Sequence, residues 1–392
     1  MTLRDGDIEG GHTPDPDPET DGQSGHSSLA GGVVVALDTP FRQRTKPARQ
    51  NAIMQRFAQT RRGPDDVFWL KENAEILGVF EATGLGADGR GLAVYRDFYD
   101  ELAARAGFFP QYYRFFLSLA LDLEDLGFAG DMGERMAHWV ATSGFVEAEL
   151  SDLQRAEARR LCARRGVDVR LDPGLDDRLR AFCGRSETFA LPNKKAAYEL
   201  THIVFYLSEY GRRDPSMSQA ASVSLHNAGT LAFLELNIDL LSEICIALRF
   251  AGEEPPEIWE RWLRDQVRRF AVEPSDAAVA HDDYHPWLML NWFMEVTGQG
   301  GFGQEMPEAG AGSVIFAAPS PAAAPLRELS NSLYEEGLAR RDDWVAMRDA
   351  VGQRLSDEAR HVLEAAETAV DFGAFFRGFA RASGPTAMRA AR

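Results

Sequence analysis

The 392-residue chain carries 60 acidic and 42 basic side chains, for a formal charge of −18. A body this negative repels phosphate, which excludes a general nucleic-acid binder. Hydrophobic content of 45% supports one large domain or two moderate ones, and three widely spaced cysteines without a CxxC pair exclude a disulfide framework and a structural zinc site.

Residues 1–32 are rich in Gly, Pro, Asp and Ser, with Pro14, Pro16 and Pro18 alternating with acids. Too little apolar surface is present to offset ordering entropy, so a disordered acidic tail is expected. The first residues are polar rather than signal-like, and no run reaches the ~18 apolar residues of a membrane span. A cytoplasmic protein without membrane contact is expected. Val33 to Leu37 reads as a short strand whose one later partner is Val314 to Phe316, too little for a sheet-based fold. Arg42, Arg44, Lys46, Arg49, Arg56, Arg61 and Arg62 then occur with no acid before Asp65. The tract is expected to lie solvated on the acidic remainder, with a nucleic-acid or partner arm as the alternative.

Beyond this point a period near 3.6 predicts helices over 92–106, 111–126, 132–143, 145–165, 175–183, 193–210, 231–250, 256–271 and 286–297. Most are stopped by Gly or Pro. A Gly, Ala and Pro-rich connection over 298–325 reads as a lid or linker, and three further helices over 326–339, 344–355 and 356–380 close the chain. The fold class is all-α, with paired helices packed as an α/α toroid or solenoid. An N-terminal helical region is placed at 33–170 and a C-terminal one, carrying the polar residues, at 171–384.

Within 231–250, Glu235, Asp239 and Glu243 recur at intervals of four and would stack on one face of an otherwise apolar helix. An all-round apolar helix is buried, and buried carboxylates persist only if protonated, paired or metal-bound. On the helix over 193–210, Tyr198, His202, Tyr206 and Glu209 follow at offsets of four, four and three, a row suited to proton transfer or to half-buried packing.

His281 and His285 superficially match the HExxH zinc helix, but Pro286 pushes His285 out of helical geometry and ahead of a helix starting at Pro286. Glu-x-x-His occurs twice, at Glu199/His202 and Glu358/His361. With Glu235 and Glu243 these would complete a di-iron carboxylate set.

Leu200-Thr201-His202, Phe205-Tyr206, Glu209-Tyr210-Gly211, Asp239-Leu240-Leu241-Ser242-Glu243 and Tyr284-His285 together resemble the pattern of a family of bacterial all-helical proteins built on a domain of unknown function. The chain departs from it in Glu209, where Asp is expected, and in Pro286-Trp287, where small hydroxyl residues are. The resemblance implies that these polar residues meet in one α-helical pocket, and it carries no activity.

The expected site therefore comprises His202, Tyr206, Glu209, Asp239, Glu243 and His285, with His202, Asp239, Glu243 and His285 as ligands if a divalent metal (zinc, iron or manganese) binds. The favoured function is an enzyme acting by acid/base or metal chemistry on a small molecule or peptide. Its rival is a non-catalytic helical adaptor for a protein partner, whose polar residues satisfy one another in the interior. A di-iron carboxylate oxidase is a further alternative.

Overall fold

The computed structural model describes residues 45–86, 89–169, 173–275, 281–307 and 312–382. The expected tail, the run 33–37, and Arg42 and Arg44 of the basic tract lie outside the described residues. Among the described residues the regular structure is helical apart from one two-stranded ribbon, which fits the all-α expectation. None of these helices is long and apolar enough to cross a membrane.

Seven helices position the site: α1 (Val67–Ala82), α2 (Tyr113–Asp125), α3 (Asp152–Ala163), α4 (Lys194–Leu207), α5 (Gln219–Leu234), α6 (Ile238–Phe250) and α7 (Tyr284–Val296). Their starts follow local chemistry. Side-chain oxygens of Asp66, Ser151, Asn193, Ser218 and Asn237 each accept a first-turn N–H that the helix itself leaves open. Helix α6 is central, buried at every residue from Leu240 to Leu248, and it packs on α7, α5 and α4. Helices α2 and α3 pack on each other, and α2 also lies against α1.

The helices expected over 145–165 and 356–380 are each broken in two, into Phe145–Ala148 and Asp152–Ala163 and into Asp357–Ala369 and Phe372–Phe379, and two others are corrected by how they end. The segment over 231–250 is two helices, because Leu236 takes a left-handed φ of 55°. Its N–H bonds to Phe233 and the Asn237 N–H to Ala232, the paired bonds of a Schellman turn. Glu235 therefore leaves the acidic row. It pairs with Lys194 at 2.9 Å beside a separate hollow of about 210 Å³. The same turn ends α4, where Glu209 (φ 50°) and Tyr210 (φ 55°) are left-handed and the N–H groups of Glu209 and Tyr210 bond to Tyr206 and Phe205. Neither turn uses glycine at the left-handed position, where glycine is the usual signal.

The expected helix over 256–271 is Glu257–Val267 followed by β1 (Ala271–Ser275), which pairs antiparallel with β2 (Ser313–Ala317). Val314 to Phe316 is thus a strand, with 271–275 as its partner. A two-stranded ribbon is all edge, so Pro274 is tolerated within it. Helix α7 starts two residues earlier than expected, with Pro286 in its first turn, where a missing N–H breaks no helical bond. His285 is therefore helical.

The basic tract, where described, is not uniformly solvated. Arg56 and Arg61 are buried, and Arg61 bonds Glu72, Asp282 and the Val314 carbonyl. This guanidinium joins the end of the Arg56–Thr60 turn, α1, β2 and the residues preceding α7.

Candidate functional site

Helix α6 carries Asp239 and Glu243 one turn apart, and α7 brings His285 Nδ1 to 2.8 Å from Asp239 Oδ1. One donor atom from each of Asp239, Glu243 and His285 lies within 4.8 Å of the others. Helix α4 supports both carboxylates: the Tyr198 hydroxyl donates to Asp239 Oδ2 at 2.7 Å, and Thr201 Oγ1 bonds Glu243 Oε2 at 2.5 Å. The same helix places His202 Nε2 at 3.9 Å from Glu243 Oε2, its ring stacked over Tyr206. From α1, Glu75 Oε1 stands 3.7 Å from His285 Nε2. Glu75 is held by the Tyr284 hydroxyl at 2.9 Å and by Lys71 at 3.1 Å.

Burial acts differently on the three central groups. It pushes the Glu243 carboxyl above its usual range, aided by the charge of Asp239 and only partly opposed by His202. Asp239 also feels burial, but the hydrogen bond and charge of His285, with Tyr198 and Lys71, hold it below the usual range. For His285 burial disfavours the charge, yet Glu75, Asp239 and Glu243 together outweigh it and raise the imidazole to about 9.

A stability consequence follows for metal-free protein. An unfolded His titrates near 6.5, so the contribution of charged His285 is complete below about pH 6.5 and is lost as pH rises through about 9. Thermal melts after chelator treatment should fall across that window, and His285→Gln should flatten the fall. An unchanged wild-type slope in the variant would remove the assignment to His285.

The cluster forms part of the wall of a cavity of about 320 Å³. Helices α1, α2 and α3 supply one side, with Glu75, Gly78, Asp122, Glu157 and Arg160 among the lining residues. Helices α4, α6 and α7 supply the other, with His202, Tyr206, Glu243, His285 and Trp292. The cavity draws on described residues from both sides of position 170.

Of the expected site residues, His202, Tyr206, Glu243 and His285 line this cavity, and Asp239 stands behind His285 and Glu243. Glu209 does not continue the row of α4, because the turn at its end redirects the chain. Its carboxylate meets Arg160 Nε at 3.4 Å and Arg213 at 3.6 Å. His202, expected as a fourth ligand, is not among the three donors that converge within 4.8 Å and stands 3.9 Å from Glu243. His281, Glu358 and His361 are exposed and do not line the cavity, so the second Glu-x-x-His pair does not join the first.

Sequence reasoning misses Lys71 and Glu75, reaches Thr201 only through the resemblance, and reads Arg160, whose side chain is buried, as exposed. The Lys71/Glu75 pair at i,i+4 was the available helix signal for α1.

Fold and site together define an all-α protein with a His–carboxylate centre in the wall of an interhelical cavity. The chain belongs to the family described as domain of unknown function DUF6902, whose model matches residues 32–382. No curated protein and no solved structure matches it.

Proposed function

We propose that the protein is an enzyme acting on a small molecule or peptide in this cavity, with a first-row divalent cation held by Asp239, Glu243 and His285. The observation that carries the reading is the convergence of these three donors within 4.8 Å at the wall of the cavity. Their mixture of imidazole nitrogen and carboxylate oxygen suits zinc, iron or manganese. Each carboxylate has a supporting hydroxyl, from Tyr198 or Thr201, as ligating carboxylates usually do.

Such an ion, when bound, supplies Lewis acidity and lowers the pKa of water. The chain's own residues then divide the remaining work. Asp239, Glu243 and His285 fix the ion against α6 and α7, while Tyr198 and Thr201 orient the two carboxylates. His202 lines the cavity 3.9 Å from Glu243, where its imidazole can give or take a proton from a substrate lying there. Tyr206, stacked on His202, shapes the wall beyond it.

Calorimetric titration of chelator-stripped protein with Zn²⁺, Mn²⁺ and, under anaerobic conditions, Fe²⁺ tests the reading. One equivalent of at least one ion should bind wild type, and His285→Gln should weaken it by at least roughly 10–100-fold, the loss that removing a ligand's support alone produces. Absence of binding by all three ions would refute the metal centre.

A further inference from the structure

The cavity continues beyond the cluster to a second polar end. Arg160 of α3 lines it with its side chain only 8% exposed. Its guanidinium plane lies over the Tyr210 ring, 4.4 Å from the centroid. Trp292 stacks on the same ring at 5.7 Å. Among the described residues the Arg160 guanidinium makes no hydrogen bond, and its one ion-pair contact is Glu209 at 3.4 Å from Nε. Among the described residues neither the buried Nε, which Glu209 meets outside hydrogen-bond geometry, nor the Trp292 indole N–H is hydrogen-bonded. A guanidinium nine-tenths buried in a cavity wall with no hydrogen bond is costly, which points to an acceptor from outside the chain.

The position sets the length of that visitor. Helix α7 runs along the cavity from His285 to Trp292, seven residues, or about 10 Å at 1.5 Å per residue. Phe205, Tyr206 and Met289 line the stretch between. Charge narrows the class. Glu157 and Asp122 also line the cavity, paired with Arg114 and Arg164 respectively, and Glu209 already faces Arg160. With these acids already paired, the single Arg160 guanidinium balances a monoanion better than a phosphate dianion. A planar carboxylate suits the guanidinium fork.

We propose that Arg160 anchors a carboxylate of the substrate, which is an elongated monoanion with an apolar middle and its reacting group about 10 Å away at the Asp239–Glu243–His285 cluster. The location of the reacting end rests on the metal-enzyme reading above, whereas the anchor does not. The left-handed turn at Glu209 and Tyr210 holds the ring beneath the guanidinium in place.

The test uses chelator-treated full-length protein, 4-phenylbutanoate as probe, its neutral amide and inorganic phosphate as comparisons, and calorimetry with tryptophan fluorescence as readouts. The carboxylate should bind wild type at least roughly tenfold more tightly than the amide, the factor that loss of one charge-assisted hydrogen bond gives. Arg160→Gln should bring the carboxylate down to the level of the amide and leave the amide unchanged, with Glu358→Gln, exposed and outside the cavity, leaving both unchanged. If Arg160→Gln does not fold, Arg160→Lys and the wild-type comparison decide, since Lys keeps the charge but loses the fork.

Equal binding of acid and amide, no binding of the acid, tighter binding of phosphate, or loss through Glu358→Gln but not through the Arg160 variants would each overturn the anchor. Carboxylate binding together with failure of all metal titrations would leave the anchor standing and remove the metal centre alone.

Discussion

Glu243→Gln should leave the melting temperature of the metal-free protein equal to or above that of wild type, while metal affinity falls by at least roughly 10–100-fold. The carboxyl is 1% exposed and burial already disfavours its charged form, so a neutral amide of the same shape removes a cost. Gln retains an acceptor for Thr201. Asp239→Asn should behave differently, because Asp239 is the charged partner of His285 and accepts from Tyr198. Removing that charge should cost on the order of 1–3 kcal/mol. Melts of the two variants beside metal titrations separate a functional centre from a structural network. In the structural alternative, both substitutions break a satisfied buried pair and each costs about 3–5 kcal/mol.

The largest stability loss is expected at a residue outside the cavity. Arg61→Met should destabilise the protein by about 3–5 kcal/mol, because Glu72 and Asp282 would remain as buried carboxylates without their shared cation. Both side chains are almost fully buried, and Arg61 also stacks against Phe57, Tyr284 and Phe316. Arg62 remains on Glu72, but no second cation meets Asp282 among the described residues. Asp282 in turn accepts the Phe316 N–H next to the start of α7. Metal affinity should fall with stability, since His285 sits in the first turn of α7. Urea melts check the first effect, and combining Arg61→Met with Asp282→Asn in a double-mutant cycle measures the coupling. A loss below about 1 kcal/mol would show that the ion cluster contributes little.

Much of this architecture is legible from spacing. Apolar periodicity marks most helices from residue 92 onward but not α1 or the first three turns of α5, and Asp239/Glu243 reads as one face because α6 is continuous through both. The break at Leu236 is hidden because the left-handed position holds leucine, although Asn237 offers a cap signal just after it. Glu209 was misplaced for the same reason. His285 was kept off a helix by Pro286, a rule that loses force in the first turn.

The rest of the site depends on distant segments meeting. Glu75 reaches His285 across 210 positions of sequence, and Arg160 reaches Tyr210 through a ring contact that no local pattern encodes. Position in sequence also hid the role of Arg61. In a run of basic residues it resembles solvated surface, and only the partners Glu72 and Asp282 reveal a buried cation.

The most direct measurement is anomalous X-ray scattering from crystals of the protein loaded with the ion that titrates. A single strong peak should lie between Asp239, Glu243 and His285, with each ligating atom about 2.0–2.2 Å from it. A peak elsewhere, or none at this cluster in protein that has bound one equivalent in solution, would contradict the proposed centre.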